Sequence, residues 1–452
     1  MGTKKLLRKH KKDLIEILVS KFISFIIVFA FIVGCSFNKN SKFWTNSQNL
    51  KDENKDGYEE ILKLKETLKN EYNPNLKIKI NVKPKNSYSI YNYQNNSGRI
   101  NFDGNLKKSS RYKFSKIKNF YQYQPEISFF QDNIIFFESK GSILRFNNKS
   151  KLVWKKNYYD KREKKLNPVL QFANDGKFLV VADNIAKYYL IDIQTGDLIW
   201  SKKGLAPFNS QIKIFGDKFF IVDLLNTLRC FSLKDGKELW NINTEKSLVR
   251  TQKKISLVIV DKVIYFSNSI GDISAVDINK GELLWQLPTQ SSLIYESAFS
   301  LKTSDLVSDK NNLFFSNNNN EFFSINIKTG NFNWKNNINS SLRSSIIGDY
   351  LISISQEGYL IVTEKVSGNI IRVTDIFNNF KEKKRDNIDP TGFLVGLDKV
   401  YVSTNIGRLL IVDIESGKTI STLKIDNEKI SKPFILDKNL FLIKDNGIIR
   451  LN

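Results

Sequence analysis

The sequence predicts an all-β chain: an eight-bladed β-propeller of four-stranded antiparallel blades, closed by an N-terminal strand and preceded by a signal peptide and a tether. Three observations carry that expectation. A turn-and-aromatic marker recurs with a period near 45 residues, which indicates a propeller or solenoid rather than several unrelated domains. Between markers the chain alternates apolar and polar residues in short runs, the pattern of half-buried strands. Helix signals are few beyond residue 106.

The chain divides into 1–34, a lipoprotein signal peptide; 35–105, a lipid-anchored tether; and 106–452, the propeller. Residues 1–21 carry Lys4, Lys5, Arg8, Lys9, Lys11, Lys12 and Lys21 against Asp13 and Glu16. Phe22 to Gly34 is then a 13-residue apolar run. Roughly 20 such residues are needed to span a bilayer, so this run fits the apolar region of a signal peptide. It ends Ile32-Val33-Gly34-Cys35, which resembles a bacterial lipobox. The resemblance implies acylation of Cys35 and cleavage just before it; the alternative is an uncleaved N-terminal anchor with an incidental cysteine. Ser36, rather than Asp, follows Cys35, which in such lipoproteins favours the periplasmic face of the outer membrane. The tether is rich in Asn, Lys and Ser, and Tyr58, Ile61, Leu62 and Leu68 have the spacing of a short helix before Pro74.

The repeat is clearest at Thr195-Gly196-Asp197-Leu198-Ile199-Trp200 and Asp235-Gly236-Lys237-Glu238-Leu239-Trp240. Lys280-Gly281 leads to Trp285 and Thr329-Gly330 to Trp334 in the same way. An earlier copy ending in Trp154 has Ser150 in place of Gly, and two later copies keep Gly368 and Gly417 but carry Arg372 and Ser421 in place of Trp. Marker spacings are 46, 40, 45, 49, 38 and 49 residues. The Gly marks a hairpin turn of positive φ, with a strand such as Tyr189–Ile193 before it and the Trp-bearing strand after it. The chain ends with Asn439–Ile443 and Gly447–Leu451, two strands of an eighth unit. Ser110–Ile117 reads as the strand that completes it and removes an open edge. The 347 residues from 106 onward then give about 43 per blade, the size of a four-stranded blade.

Composition narrows the chemistry. His10 is the only histidine and lies in the leader. A Ser-His-Asp triad, a Cys-His pair or a His-ligated metal has no imidazole in the folded body. Cys35 and Cys230 are 195 residues apart and make neither a four-cysteine zinc site nor a haem CxxCH. Catalysis by carboxylates alone remains open. Cys230 lies in an alternating strand and reads as a small buried apolar residue. Lys and Arg outnumber Asp and Glu by 70 to 46, a formal charge of +24 that falls to +19 without residues 1–34. Only 12 of these cations are Arg, the usual reader of bases and phosphates, and the Lys residues spread along the whole chain. No nucleic-acid partner is expected. Asn378–Asp389 is polar and charged, lacks strand patterning, and reads as a loop protruding between blades six and seven.

The markers discriminate between propeller families. WD40 strands end in Trp-Asp, whereas here Trp154, Trp200, Trp240, Trp285 and Trp334 precede Lys, Ser, Asn, Gln and Lys. The pattern D-x-x-[TDK]-G-x-x-x-W resembles the PQQ-type propeller repeat, in which the Trp packs between blades. Within that family the chain is similar throughout to the BamB-like lipoproteins of the outer-membrane β-barrel assembly machinery. The resemblance implies a non-catalytic scaffold without cofactor or metal. Its partners are the BamA-like barrel-inserting component and unfolded outer-membrane proteins. It places partner contact on a loop with an apolar-x-apolar-Arg motif, which here corresponds to Leu248, Val249 and Arg250; Arg250 alone reads equally as a solvated cation. The family's acidic pair on the following loop is absent: Ser300-Leu301-Lys302 stands there, with Glu296 and Asp305 the nearest acids. Two alternatives remain: another envelope propeller lipoprotein with a different partner, and a PQQ-dependent dehydrogenase.

Overall fold

A computed structural model describes residues 68, 70–85, 98–118, 120, 125–244, 253–289 and 301–452. Cys35 and the expected helix around Tyr58–Leu62 lie outside the described residues. Among those described, thirty-two strands form eight four-stranded antiparallel sheets. Blade 1 is β2–β5 (128–156), blade 2 β6–β9 (170–203), blade 3 β10–β13 (213–243) and blade 4 β14–β17 (257–287). Blade 5 is β18–β21 (307–336), blade 6 β22–β25 (345–375) and blade 7 β26–β29 (390–424). Blade 8 combines β30–β32 (434–451) with β1 (Lys108–Lys113), which pairs antiparallel with β32 from Lys113 opposite Gly447 to Lys108 opposite Leu451. The C-terminal end thus holds three strands rather than the two legible in the sequence. The extra one is Phe434–Leu436, too short to show a period.

The marker has a local cause. In blade 2 the Asp192 carboxylate accepts the backbone N–H of Gln194 (2.8 Å) and Thr195 (2.9 Å), while Gly196 N–H returns to Asp192 O (2.9 Å). An Asp side chain closing its own turn competes with strand pairing and therefore belongs in a hairpin. Asp277, Asn326 and Asp413 repeat the arrangement. Gly196 sits at φ +72°, in the region Gly enters without a Cβ clash. Beyond the turn, the pairing slips by one residue just before the Trp in every blade that has one. This bulge aims the indole across to the next blade.

The core lies between blades. Separate buried clusters join blade 2 to 3, 3 to 4, 4 to 5, 5 to 6, 6 to 7 and 7 to 8. A further cluster joins Phe434, Phe441 and Ile443 of blade 8 to Phe129 and Ile135 of blade 1, and blade 1 to Leu179 and Tyr189 of blade 2. Each blade therefore buries both faces, and its second and third strands read as near-continuous apolar runs. Residues before 106 also join this core. Tyr72 pairs with Val373 of β25 (Ile370–Asp375) in both directions (3.1 and 2.8 Å). Ile78 is buried against blades 6 and 7, and Ile100 and Phe102 against blades 7 and 8. The alternation Leu76-Lys77-Ile78-Lys79-Ile80 was the available sign, masked by the Lys- and Asn-rich composition around it.

Candidate functional site

Each tryptophan of blades 1 to 5 stands on the fourth strand, its ring against the hairpin glycine of the following blade. A Cβ built on Gly196, Gly236, Gly281, Gly330 or Gly368 would approach Trp154, Trp200, Trp240, Trp285 or Trp334 to 2.9, 2.7, 2.6, 2.7 and 2.6 Å. Four indoles also donate Nε1–H to the carbonyl three residues before that glycine. Trp200 reaches Leu233 O (2.9 Å), Trp240 Ile278 O (3.1 Å), Trp285 Ile327 O (3.0 Å) and Trp334 Lys365 O (3.0 Å). Trp154 does not, and the matching carbonyl of Ile193 accepts from Arg145 Nη1 instead (3.2 Å). In blade 6 Arg372 holds the Trp register, paired with Val362, and is fully buried. Its Nη2 donates to Ile414 O (3.0 Å), the carbonyl three residues before Gly417, and its Nη1 to Leu76 O (2.9 Å) and Glu415 O. Burial lowers the guanidinium to about 10.

Leu248, Val249 and Arg250 lie outside the described residues, as does Glu296. In antiparallel blades the described connections from the fourth strand of one blade to the first strand of the next leave from one rim. The same rim carries α1 (Lys161–Lys165), capped by Asp160 and Glu163, and α2 (Glu382–Arg385). The sequence read 378–389 as a protruding charged loop. The segment joins blades 6 and 7 with most of its residues exposed, and its ends are held: Arg385 pairs with Asp375 (2.8 Å) and donates to Phe380 O and Asn378 O, and Phe377 and Phe380 pack edge to face. Cys230 is buried and free, and burial pushes its thiol up to about 12.

At the centre of the ring is a cavity of about 270 Å³. Four cations from four blades line it: Lys213 on the first strand of blade 3, and Lys254, Arg343 and Lys432 just ahead of the first strands of blades 4, 6 and 8. The lining acids are Glu126 and Asp175. Glu126 bridges Lys254 (2.8 Å) and Lys432, and these cations hold its carboxyl well below the usual range against the opposing effect of burial. Burial lowers Lys213 to about 8; Glu126 and Asp305 favour its charge, while Arg343 and Lys254 oppose it. Lys253, whose Nζ donates to Ser341 O (2.9 Å), is also lowered to about 8 by burial, and burial lowers Lys429 and Lys432 as well. Sequence reasoning missed this set. The signal was a cation entering the first strand of several units, hidden among basic residues spread everywhere.

Among the described residues no three His, Cys, Asp or Glu side chains gather into a metal-holding group, and no helix is long and apolar enough to cross a membrane. Calcium takes six to eight oxygen ligands. The cavity offers two carboxylates, Glu126, already engaged by two ammonium groups, and Asp175, whose Oδ1 accepts two backbone N–H groups of its own turn, so its lining does not fit the calcium-bound quinone of the PQQ dehydrogenases.

Known structures share this architecture. BamB from Moraxella catarrhalis superposes with a TM-score of 0.62 at 14% identity, covering 77% of this chain and 99% of that one. Quinohemoprotein alcohol dehydrogenase from Comamonas testosteroni gives 0.61 at 9% identity, covering 78% of each. The C-terminal WD40 domain of Sif2 gives 0.58 at 14% identity, covering 77% and 98%. At these identities the likeness concerns the fold. No curated protein matches the sequence. The family model described as outer membrane protein assembly factor BamB matches residues 139–374, from the end of blade 1's second strand through the Arg372 marker. That span exceeds half of the chain, and by it the chain belongs to the BamB family of outer membrane protein assembly factors.

Proposed function

We propose that the protein is a non-catalytic scaffold lipoprotein of the outer-membrane β-barrel assembly machinery. It is anchored through Cys35 to the periplasmic face of the outer membrane. There it binds the BamA-like barrel-inserting component and aids insertion of outer-membrane proteins. The family match over residues 139–374 carries this reading. The lipobox and the eight-bladed ring support it. Leu248, Val249 and Arg250 are the proposed contact residues. Loops held by a rigid ring are suited to recognition.

The test is to purify the protein from envelopes in mild detergent and identify what accompanies it. Recovery of the barrel-inserting protein, lost in a Leu248→Glu/Arg250→Glu variant that still folds, is the expected result. Its consistent absence, with a different envelope component enriched, refutes the reading. Cys35→Ser should abolish acyl labelling and release the chain from the membrane; unchanged attachment overturns the anchor. Tight binding of PQQ with calcium, accompanied by dye-linked alcohol oxidation, would replace the scaffold with an enzyme.

A further inference from the structure

The central cavity has no part in the scaffold reading, yet its lining is specific. Lys213, Lys254, Arg343 and Lys432 converge on one cavity from four different blades. They are brought together only by ring formation, so local sequence cannot be the reason they meet. Glu126 is committed to Lys254 and Lys432, and Asp175 Oδ1 accepts the N–H groups of Lys177 (2.9 Å) and Phe178 (2.7 Å) in its own turn. Lys213 faces the cavity with no carboxylate within ion-pair distance among the described residues, Glu126 and Asp305 acting on it only from farther away.

Confining like charges in a partly dehydrated site is costly unless an anion joins them. The fold nevertheless places a guanidinium and three ammonium groups there. Gln211 and Asn174 add amide groups to the wall, although Asn174 Nδ2 is engaged by Ser128 Oγ (2.8 Å) and Phe129 O (3.1 Å). Pockets for drug-sized ligands measure roughly 300–1,000 Å³. The cavity, at about 270 Å³, lies just below that range and has room for a small hydrated ion.

We propose that the central channel is a binding site for a small oxyanion of the phosphate class, carrying two or more negative charges. Arg343 presents the planar donor fork that matches a phosphate edge, and the lysines act as point charges around it. The same chemistry could be supplied by free phosphate or pyrophosphate, or by the phosphate of a lipid headgroup.

The experiment is calorimetric titration of the full chain in phosphate-free buffer at constant ionic strength, using inorganic phosphate and pyrophosphate as probes. One-to-one saturable binding is expected, with pyrophosphate the tighter and chloride inert. Lys213→Met and Arg343→Gln should each weaken it at least tenfold, Lys213→Arg should retain it, and the exposed Lys237→Met should leave it unchanged. Circular dichroism and the unfolding midpoint identify any variant that fails to fold, and Lys213→Arg then decides. A vesicle arm, phosphatidic acid against phosphatidylcholine, separates the sources: vesicle binding that depends on Lys213 assigns the headgroup, and its absence assigns the free ion. Saturation that is missing, or that survives both Lys213→Met and Arg343→Gln, overturns the proposal. Neither result bears on recovery of the barrel-inserting protein.

Discussion

Gly236 and Gly216 share a backbone conformation and differ in what lies in front of them. Their φ values are +65° and +61°. A methyl group on Gly216 meets nothing within 4 Å, whereas on Gly236 it lies 2.7 Å from Trp200 Cζ3, 2.9 Å from Cε3 and 3.0 Å from Cη2. Left-handed backbone costs an alanine about 1–2 kcal/mol, and Gly216→Ala should cost that alone. Carbon atoms rest at about 3.5–4.0 Å, so the Trp200 ring would have to retreat by about 1 Å. It is held by its bond to Leu233 O and by Phe219 and Tyr188, with centroids 6.1 and 5.9 Å away. Overpacking of this kind adds about 1–3 kcal/mol. Gly236→Ala should therefore cost about 2–5 kcal/mol in all. The assay is urea unfolding followed by far-ultraviolet circular dichroism, which does not depend on the indoles. In a Trp200→Ala background the obstacle is gone, and the Gly236→Ala increment should fall to the Gly216 value. Equal costs at the two glycines, or an increment unchanged by Trp200→Ala, would refute the claim that ring contact fixes the glycine.

Arg372→Ala removes three hydrogen bonds to buried or half-buried carbonyls and should destabilise by about 2–4 kcal/mol, read in the same urea assay; a loss below 0.5 kcal/mol would deny Arg372 a structural role. Lys213 and Lys253 release protons near pH 8 when folded, against 10.5 for the usual ammonium. Between those values the unfolded chain binds more protons, so stability should rise from pH 8 towards 9.5. The gain, on the order of 1 kcal/mol after discounting for partial exposure, involves Glu126, Asp305, Arg343 and Lys254 around Lys213, and Asp305, Lys432 and Lys302 around Lys253; it is read in a Cys230→Ala background, because the raised Cys230 thiol keeps its proton while the unfolded thiol loses it and so opposes the gain, and a fall over that interval in the urea midpoint of that variant contradicts the assignment. Cys230, buried and with its thiol at about 12, should resist iodoacetamide at pH 8 in a Cys35→Ser background and react fully in urea; fast labelling of the folded chain would show the strand opens.

The repeat was legible because its cause is local. An Asp closing its own turn, a glycine of positive φ and a Trp four residues later recur within one hairpin, so they leave a readable period. What the period could not show is the partner of each residue, which sits in the next blade. Arg372 reads as a lost Trp, yet it occupies the same register and donates to the same carbonyl of the following blade. The cavity cations are the extreme case. Lys213, Lys254, Arg343 and Lys432 span 220 positions of the sequence, and nothing but closure of the ring relates them.

Seen by interface rather than by blade, the decay of the markers has a physical order. The Trp–Gly contacts occupy the interfaces from blade 1 against 2 to blade 5 against 6. At blade 6 against 7 the Arg372 guanidinium replaces the ring. Ser421 holds the Trp register of blade 7, and blade 8 has no hairpin between its third and fourth strands, since β1 precedes the seven other blades in the sequence and β32 follows them. A Trp there would find no glycine turn to cover. Likewise Ser110 holds the Trp register on β1, paired with Arg450, and blade 1 carries Ser150 where the others carry glycine. At these same interfaces the chain before 113 enters the core: Ile78 between blades 6 and 7, Ile100 and Phe102 between 7 and 8, and Tyr112 between 8 and 1. Phe102 meets Tyr401 edge to face at 5.3 Å, and Ile100 N–H donates to Val395 O (2.9 Å). Apolar area withdrawn from water stabilises an interface whichever segment supplies it. The N-terminal segment therefore supplies apolar area at the three interfaces that have no Trp–Gly contact, as the tryptophans do at the other five.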